Sequence, residues 1–163
     1  MTNVLLLGDP KVGKSSWLRR LLSQGFSETY VTTIGKDTEV LTYEGRKIIV
    51  HDIGGHERFA ALTDLYYEVA HGAIVFYDHR RTRTTYWIEK LVDKLPGIPY
   101  IVVANKSDLT PDTVRIHRQI SCKYDDTVHI ILRDLLEKIP PVDEEITILE
   151  YIWHVLAGWL WYS

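Results

Sequence analysis

Short apolar and β-branched runs alternate along the chain with longer stretches of helical period. Val4–Leu7 reads as a buried strand, and Ser15–Gln24 as a helix with Trp17, Leu18, Leu21 and Leu22 along one side. Thr38–Tyr43 and Lys47–Asp52 flank Glu44-Gly45, a hairpin turn signal. Ala60–Ala70 has helical character. Ala73–Tyr77 is a further apolar run, and Thr85–Leu95 is a helix stopped by Pro96-Gly97. Tyr100–Ala104 is another buried run, Val114–Ser121 contains a weak strand, and Asp125–Ile139 is a helix that ends before Pro140-Pro141. Strand alternating with helix predicts an α/β fold in which a mostly parallel sheet is covered on both faces. Ligands of such folds sit beyond the carboxyl ends of the strands.

Composition changes this picture little. A chain of 163 residues with 45% hydrophobic and 25% charged residues is one ordinary globular domain. The net charge of −3 argues against a nucleic-acid clamp, so no nucleic-acid partner is expected. Cys122 stands alone, which excludes an intramolecular disulfide and a cysteine-based zinc cage and suits a reducing compartment such as the cytoplasm. No secretory signal, myristoylation glycine or prenylation cysteine is read at either end. The run Tyr151–Ser163 lacks Asp, Glu, Lys and Arg, but its thirteen residues fall short of the about 20 that span a bilayer as a helix.

The chemistry begins at Gly8-Asp9-Pro10-Lys11-Val12-Gly13-Lys14-Ser15, which fits G-x-x-x-x-G-K-[ST] between a strand and a helix. Glycines let backbone N–H groups converge on phosphate oxygens, and the following helix N-terminus adds partial positive charge. Lys14 is placed for β- and γ-phosphates and Ser15 for Mg²⁺, with Ser16 continuing the cradle. At the end of a later strand, His51-Asp52-Ile53-Gly54-Gly55 supplies an acid suited to Mg²⁺ and a glycine whose N–H is open to a γ-phosphate. Alone, Asp-x-x-Gly is a turn; its weight comes from following a phosphate loop.

Asn105-Lys106-Ser107-Asp108 follows the Tyr100–Ala104 strand. A carboxylate such as Asp108 accepts the two adjacent donors on the N1 and N2 edge of guanine, a pair adenine lacks. The Lys106 stem can lie along a base plane, and Asn105 can tie loops together. Ser121-Cys122-Lys123, again at a strand end, offers backbone N–H groups for the guanine O6.

In this order the motifs resemble those of the Ras superfamily of small GTPases, over roughly residues 3–139. Tyr30-Val31-Thr32-Thr33-Ile34-Gly35 and Gly55-His56-Glu57-Arg58-Phe59 look most like the Rab and Ran branches, and Tyr66-Tyr67 with Ile98-Pro99 leans toward Ran. The resemblance implies the P-loop NTPase three-layer sandwich, with a mixed, mostly parallel six-stranded sheet and flanking helices. It implies GTP/GDP and Mg²⁺ as cofactors. Thr33 matches the switch I threonine that ligates Mg²⁺ beside Ser15 and Asp52, and Phe26 matches the aromatic residue packed on the base. Catalytic roles fall to Lys14, Thr33, Gly55 and the residue at position 56. Switch I covers about 26–37 and switch II about 53–68. Effectors, exchange factors and GTPase-activating proteins would read these loops, whose order follows the γ-phosphate.

Four departures bear on function. His56 stands where the family has the glutamine that orients water, and imidazole offers a different donor–acceptor geometry from an amide. It reads equally well as an exposed loop residue. Pro10 and Lys11 replace small residues in the phosphate loop, and Pro10 removes a donor. No arginine occurs from Phe26 to Glu44, so an arginine contributing about 10³–10⁵ in rate would have to come from a partner. Slow intrinsic hydrolysis is the expectation. Finally, only the twelve residues Leu109–Ile120 separate Asp108 from Ser121, which predicts that the helix usual there is lost or cut to one turn.

The expected organisation is a GTPase domain over 1–139 and a Trp-rich helical extension over 140–163. Ile146, Leu149, Ile152, Trp153, Leu156, Leu160 and Trp161 recur at helical spacing. That face packs on the domain, meets a membrane surface through 146–162 without a lipid, or binds a partner. Three function classes follow: a GTP/GDP switch with slow Mg²⁺-dependent hydrolysis, a GTP-loaded binding module that hardly hydrolyses, and a nucleotide or small-molecule kinase. Asn105–Asp108 argues against the last. The expected location is cytoplasmic, with nuclear or peripheral membrane association left open.

Overall fold

The computed structural model describes residues 1–25, 33, 36–54, 60–78, 84–109, 118–124 and 128–140. Along the chain run β1 (Thr2–Leu7), α1 (Lys14–Leu21), β2 (Lys36–Tyr43), β3 (Arg46–Ile53), α2 (Ala60–Glu68), β4 (Gly72–Asp78), α3 (Thr84–Lys94), β5 (Tyr100–Asn105), a 3-10 turn (Ser107–Leu109), β6 (Arg118–Gln119) and α4 (Val128–Leu136). The strands form one sheet in the order β2-β3-β1-β4-β5-β6. β2 is antiparallel to β3, and the other pairings are parallel. This is the expected mixed, mostly parallel sheet of the three-layer P-loop sandwich.

Strand side chains alternate faces, so each central strand feeds two cores. Val4 and Leu6 of β1, Ile74 and Phe76 of β4, and Ile101 and Val103 of β5 meet α1 and α4. Leu5, Leu7, Ala73 and Val75 point the other way, onto Tyr67 of α2 and Trp87 and Leu91 of α3. Both faces of β1 are therefore apolar, as a covered parallel strand requires.

The helices and turns follow from local sequence. Trp17 and Leu18 are buried on α1, while Leu21 and Leu22 lie at the rim of the same core. α1 closes before Gln24 rather than at it. Glu44 and Gly45 both take positive φ, 48° and 77°, giving the two-residue hairpin that brings Tyr43 opposite Arg46. On α4, Val128, Ile131, Leu132, Leu135 and Leu136 form the buried stripe, and the helix stops short of Ile139. Among the described residues of Val114–Ser121, the expected weak strand is Arg118–Gln119. The fate of the helix between Asp108 and Ser121 falls largely on residues 110–117, outside the described residues, as does the extension from 141 onward.

Two polar ties close the packing. The Trp17 indole N–H donates to the Val128 carbonyl at 3.0 Å, joining α1 to the first turn of α4. The Arg46 guanidinium, at the start of β3, donates to the carbonyls of Leu136 (3.0 Å), Ile139 (3.3 Å) and Pro140 (3.4 Å). Leu136 closes α4, where intrahelical donors run out, and Ile139 and Pro140 follow just beyond it.

Trp17→Phe keeps most of the apolar bulk but removes the bond that joins α1 to the first turn of α4. The expected loss is about 0.5–1.5 kcal/mol, read as a lower urea midpoint with an unchanged m value.

Candidate functional site

The chemistry-bearing residues gather beyond the carboxyl ends of β1, β3 and β5, where a doubly covered parallel sheet leaves room for a ligand. The phosphate loop leaves β1 at Leu7 and enters α1 at Lys14. Two glycines make its path. Gly8 has φ +136°, and a Cβ there would lie 2.2 Å from the Phe76 carbonyl oxygen of β4. Gly13 has φ +101°, and a Cβ there would lie 2.1 Å from Asn105 Nδ2. Side chains at either position would force the loop off the sheet. Lys11 also takes positive φ, 66°, a conformation that costs an L-residue about 1–2 kcal/mol.

α1 begins with no side-chain cap and no acid in its first turn. Its N-terminal dipole is thus left uncompensated within the helix, an arrangement that favours an anion. Lys14 is buried, and its ammonium donates to the Gly8 carbonyl at 2.9 Å and the Asp9 carbonyl at 3.2 Å. Burial lowers the Lys14 pKa, with the Asp52 and Asp9 carboxylates acting in the opposite sense.

Beside Lys14, three oxygen groups converge. Ser15 Oγ donates to Asp52 Oδ2 and lies 3.1 Å from Thr33 Oγ1. Asp52 is 1% exposed at the end of β3, and its Oδ1 is buried without a hydrogen-bond partner among the described residues. Burial raises the Asp52 pKa; Lys14 and the Ser15 hydroxyl oppose that, and Asp37, opposite in the β2–β3 register, reinforces it. A buried carboxylate oxygen with no partner, next to two hydroxyls, is a donor set suited to a hard cation and its waters. The residues fit Mg²⁺.

On the β5 side, Asn105, Lys106 and Asp108 adjoin the phosphate loop and the Ser121–Lys123 loop. Asn105 is 1% exposed. Its amide donates to the Val12 carbonyl at 2.9 Å, and its Oδ1 accepts from the N–H groups of Lys106 (2.8 Å) and Cys122 (3.2 Å). Asn105 thus ties the phosphate loop to the Ser121–Lys123 loop. The Lys106 ammonium donates to the Lys11 carbonyl at 2.6 Å and pairs with Asp78 at 3.2 Å. Asp108 is exposed, with Oδ1 accepting from Ser121 Oγ. Of the backbone N–H groups of Ser121–Lys123, that of Cys122 donates to Asn105 Oδ1. Phe26, Gly55 and His56 lie outside the described residues. Of the described positions, Gly8, Asp9, Pro10, Lys11, Val12, Gly13, Lys14, Ser15, Ser16, Thr33 and Asp52 belong to one side of the site, and Asn105, Lys106, Asp108, Ser121, Cys122 and Lys123 to the other.

One residue escaped the sequence reading. The Trp87 indole of α3 donates to Asp9 Oδ1 at 2.9 Å. No motif marks it, because a tryptophan on an amphipathic helix reads as core.

Among the described residues, no group of three or more His, Cys, Asp or Glu is arranged to hold a metal, and no helix is long and apolar enough to cross a membrane. The Mg²⁺ donor set above rests on hydroxyls and a single carboxylate.

Residues 3–108 match the family described as Roc, Ras of Complex, the Roc domain of DAPkinase. The chain is 41% identical over 125 residues to the Ras-related protein Rab-32B of Dictyostelium discoideum, covering 68% of this chain and 48% of that protein. It is 33% identical over 137 residues to the GTP-binding protein ypt1 of Schizosaccharomyces pombe, covering 78% of this chain and 66% of that protein. The chain thus spans less than two thirds of the length of either relative.

The raised pKa of Asp52 has a sign that can be measured. Its folded value lies above the ordinary 3.8, so the fold holds this proton more tightly than the unfolded chain does. That contribution is complete below the unfolded value and is lost as pH rises through the folded one. The stability of the nucleotide-free wild type minus that of Asp52→Asn is therefore expected to fall as pH rises above about 4 in urea titrations. A difference that rises with pH would contradict the burial argument.

Proposed function

Since this chain belongs to the Ras superfamily of small GTPases and is Rab-like, we propose that it is a guanine-nucleotide switch that binds GTP and GDP with Mg²⁺ and hydrolyses GTP slowly. The observation that carries this reading is the side chain of Asn105, which holds the phosphate loop and the base-facing loop in one piece. A phosphate loop alone would serve many nucleotides; joined to the exposed Asp108 carboxylate, it serves a purine with two adjacent edge donors.

In the reaction, water attacks the γ-phosphorus in line, the bond to the β–γ bridging oxygen breaks, and GDP and phosphate leave. Ser15, Thr33 and Asp52 would hold Mg²⁺, which would supply charge neutralisation to the phosphates. Lys14 brings a positive charge to the same oxygens from a buried position, where it acts in low dielectric. Its hydrogen bonds to the Gly8 and Asp9 carbonyls keep the ammonium in the centre of the loop before phosphate arrives. Gly55 would add a backbone N–H to the γ-phosphate, and His56 stands in the place of the water-orienting glutamine. An imidazole in that place, and no arginine from Phe26 to Glu44, support slow turnover without a partner.

Exchange factors, activating proteins and effectors would engage residues 26–37 and 53–68. Exposed Val40 on β2, Leu65 on α2 and nearby Val69 offer apolar contacts around those loops. The extension over 140–163 would act as a separate helical segment, packing on the domain, meeting a membrane surface or binding a partner.

Two measurements test the reading. Calorimetry with Mg²⁺ is expected to show GDP and GTP binding and little heat from ADP, and Asp108→Ala is expected to lower guanine affinity about 100-fold or more, since the base donors lose their acceptor. In single-turnover assays, the wild type is expected to be slow and His56→Gln faster. Wild-type turnover matching that of a partner-stimulated relative would refute slow hydrolysis, and loss of GTP binding would refute the switch.

A further inference from the structure

Asp9 puts a negative charge inside a loop whose backbone is shaped for anions. Its carbonyl accepts from the Lys14 ammonium at 3.2 Å, so the residue lies beside the group that meets the phosphates. Its carboxylate is not left to solvent. Oδ1 accepts from the Trp87 indole N–H at 2.9 Å, across 78 residues of sequence. Trp87 itself is fixed: it is 5% exposed and packs in the core formed with Leu5, Leu7, Ile53, Tyr67 and Leu91, and Tyr86 meets its ring edge-on at 5.3 Å. An indole donates and cannot accept, so this contact takes up carboxylate charge and holds it against α3.

We propose that Trp87 is a positioning residue of the phosphate loop, whose indole N–H keeps the Asp9 carboxylate docked on α3 so that the loop can receive a triphosphate. The inference rests on the guanine-nucleotide reading above. Released from Trp87, the carboxylate is free to turn toward the loop mouth, where it repels the added charge of a γ-phosphate more than it repels a diphosphate. The contact therefore discriminates between nucleotide states through charge, not through shape.

The test uses the full chain with Mg²⁺, GDP and a non-hydrolysable GTP analogue, titrated by calorimetry. Trp87→Phe keeps an aromatic ring in the core and removes the N–H. It is expected to weaken the triphosphate about tenfold and the diphosphate about twofold or less. Trp87→Phe combined with Asp9→Asn removes the repelling charge and is expected to return triphosphate affinity to near the wild-type value. A purely packing role for Trp87 would lower both affinities alike and would not be rescued at Asp9. Independently of whether Trp87→Phe folds, the ¹⁵N-labelled indole N–H of Trp87 is expected to move upfield and exchange faster with solvent in Asp9→Ala. Equal affinities in wild type and Trp87→Phe, failure of the double variant to recover, or an unmoved indole resonance would each overturn the proposal. A wild type that binds neither nucleotide would overturn the functional reading itself, a result distinct from wild-type binding that Trp87→Phe leaves unchanged.

Discussion

The buried amide of Asn105 is the constraint on which the rest of the site depends. At the end of β5, its Nδ2 reaches the Val12 carbonyl and its Oδ1 takes the Cys122 N–H. One side chain therefore sets the separation of the Gly8–Ser15 loop from the Ser121–Lys123 loop. The price of Gly13 being anything larger is visible in the same place, since a Cβ there would collide with that amide. Lys106 adds a second strap from its ammonium to the Lys11 carbonyl, with Asp78 at the end of β4 balancing its charge. Phosphate loop, β4 and β5 thereby become one unit.

Around this unit the fold carries electrostatic costs. Lys14 and Asp52 are both buried, and burial moves each away from its ordinary titration in the direction of neutrality. The apolar cores on both faces of the sheet make this burial costly, and the mutual attraction of Lys14 and Asp52 offsets part of that cost. Asp52 Oδ1, buried without a hydrogen-bond partner among the described residues, would gain one from a bound cation or its water. The same logic explains why the loop tolerates Lys11 at positive φ: Lys106 and Asn105 hold the carbonyls on either side of that residue's junction with Val12.

Much of this was legible in the sequence. Alternation of short apolar runs with helical stretches foretold the covered parallel sheet, and Glu44-Gly45 foretold the hairpin. The phosphate loop, Asp52 and Asn105–Asp108 were readable because each motif is a local string placed at a strand end, where backbone topology brings strand ends together. Element ends were less legible: α1 stops before Gln24 and α4 before Ile139, since caps depend on what packs beyond them. The direction of the Cys122 N–H toward Asn105 could not be read, because it depends on a distance between two loops. Trp87 could not be read either. Its partner Asp9 belongs to the motif, but nothing in a run of helix residues tells a buried indole that packs from one that also donates.

Arg46 gives the molecule a polarity of its own. It opens β3 and grips the carbonyls at Leu136, Ile139 and Pro140, whereas Asp52 lies near the other end of the same strand. At about 3.3 Å per residue, the two are separated by roughly 20 Å of sheet. The polypeptide thus departs at Pro140 from the pole remote from the nucleotide pocket. A pull on the chain at Pro140 would therefore load β3 and the end of α4 through Arg46, at the pole opposite Lys14 and Asp52.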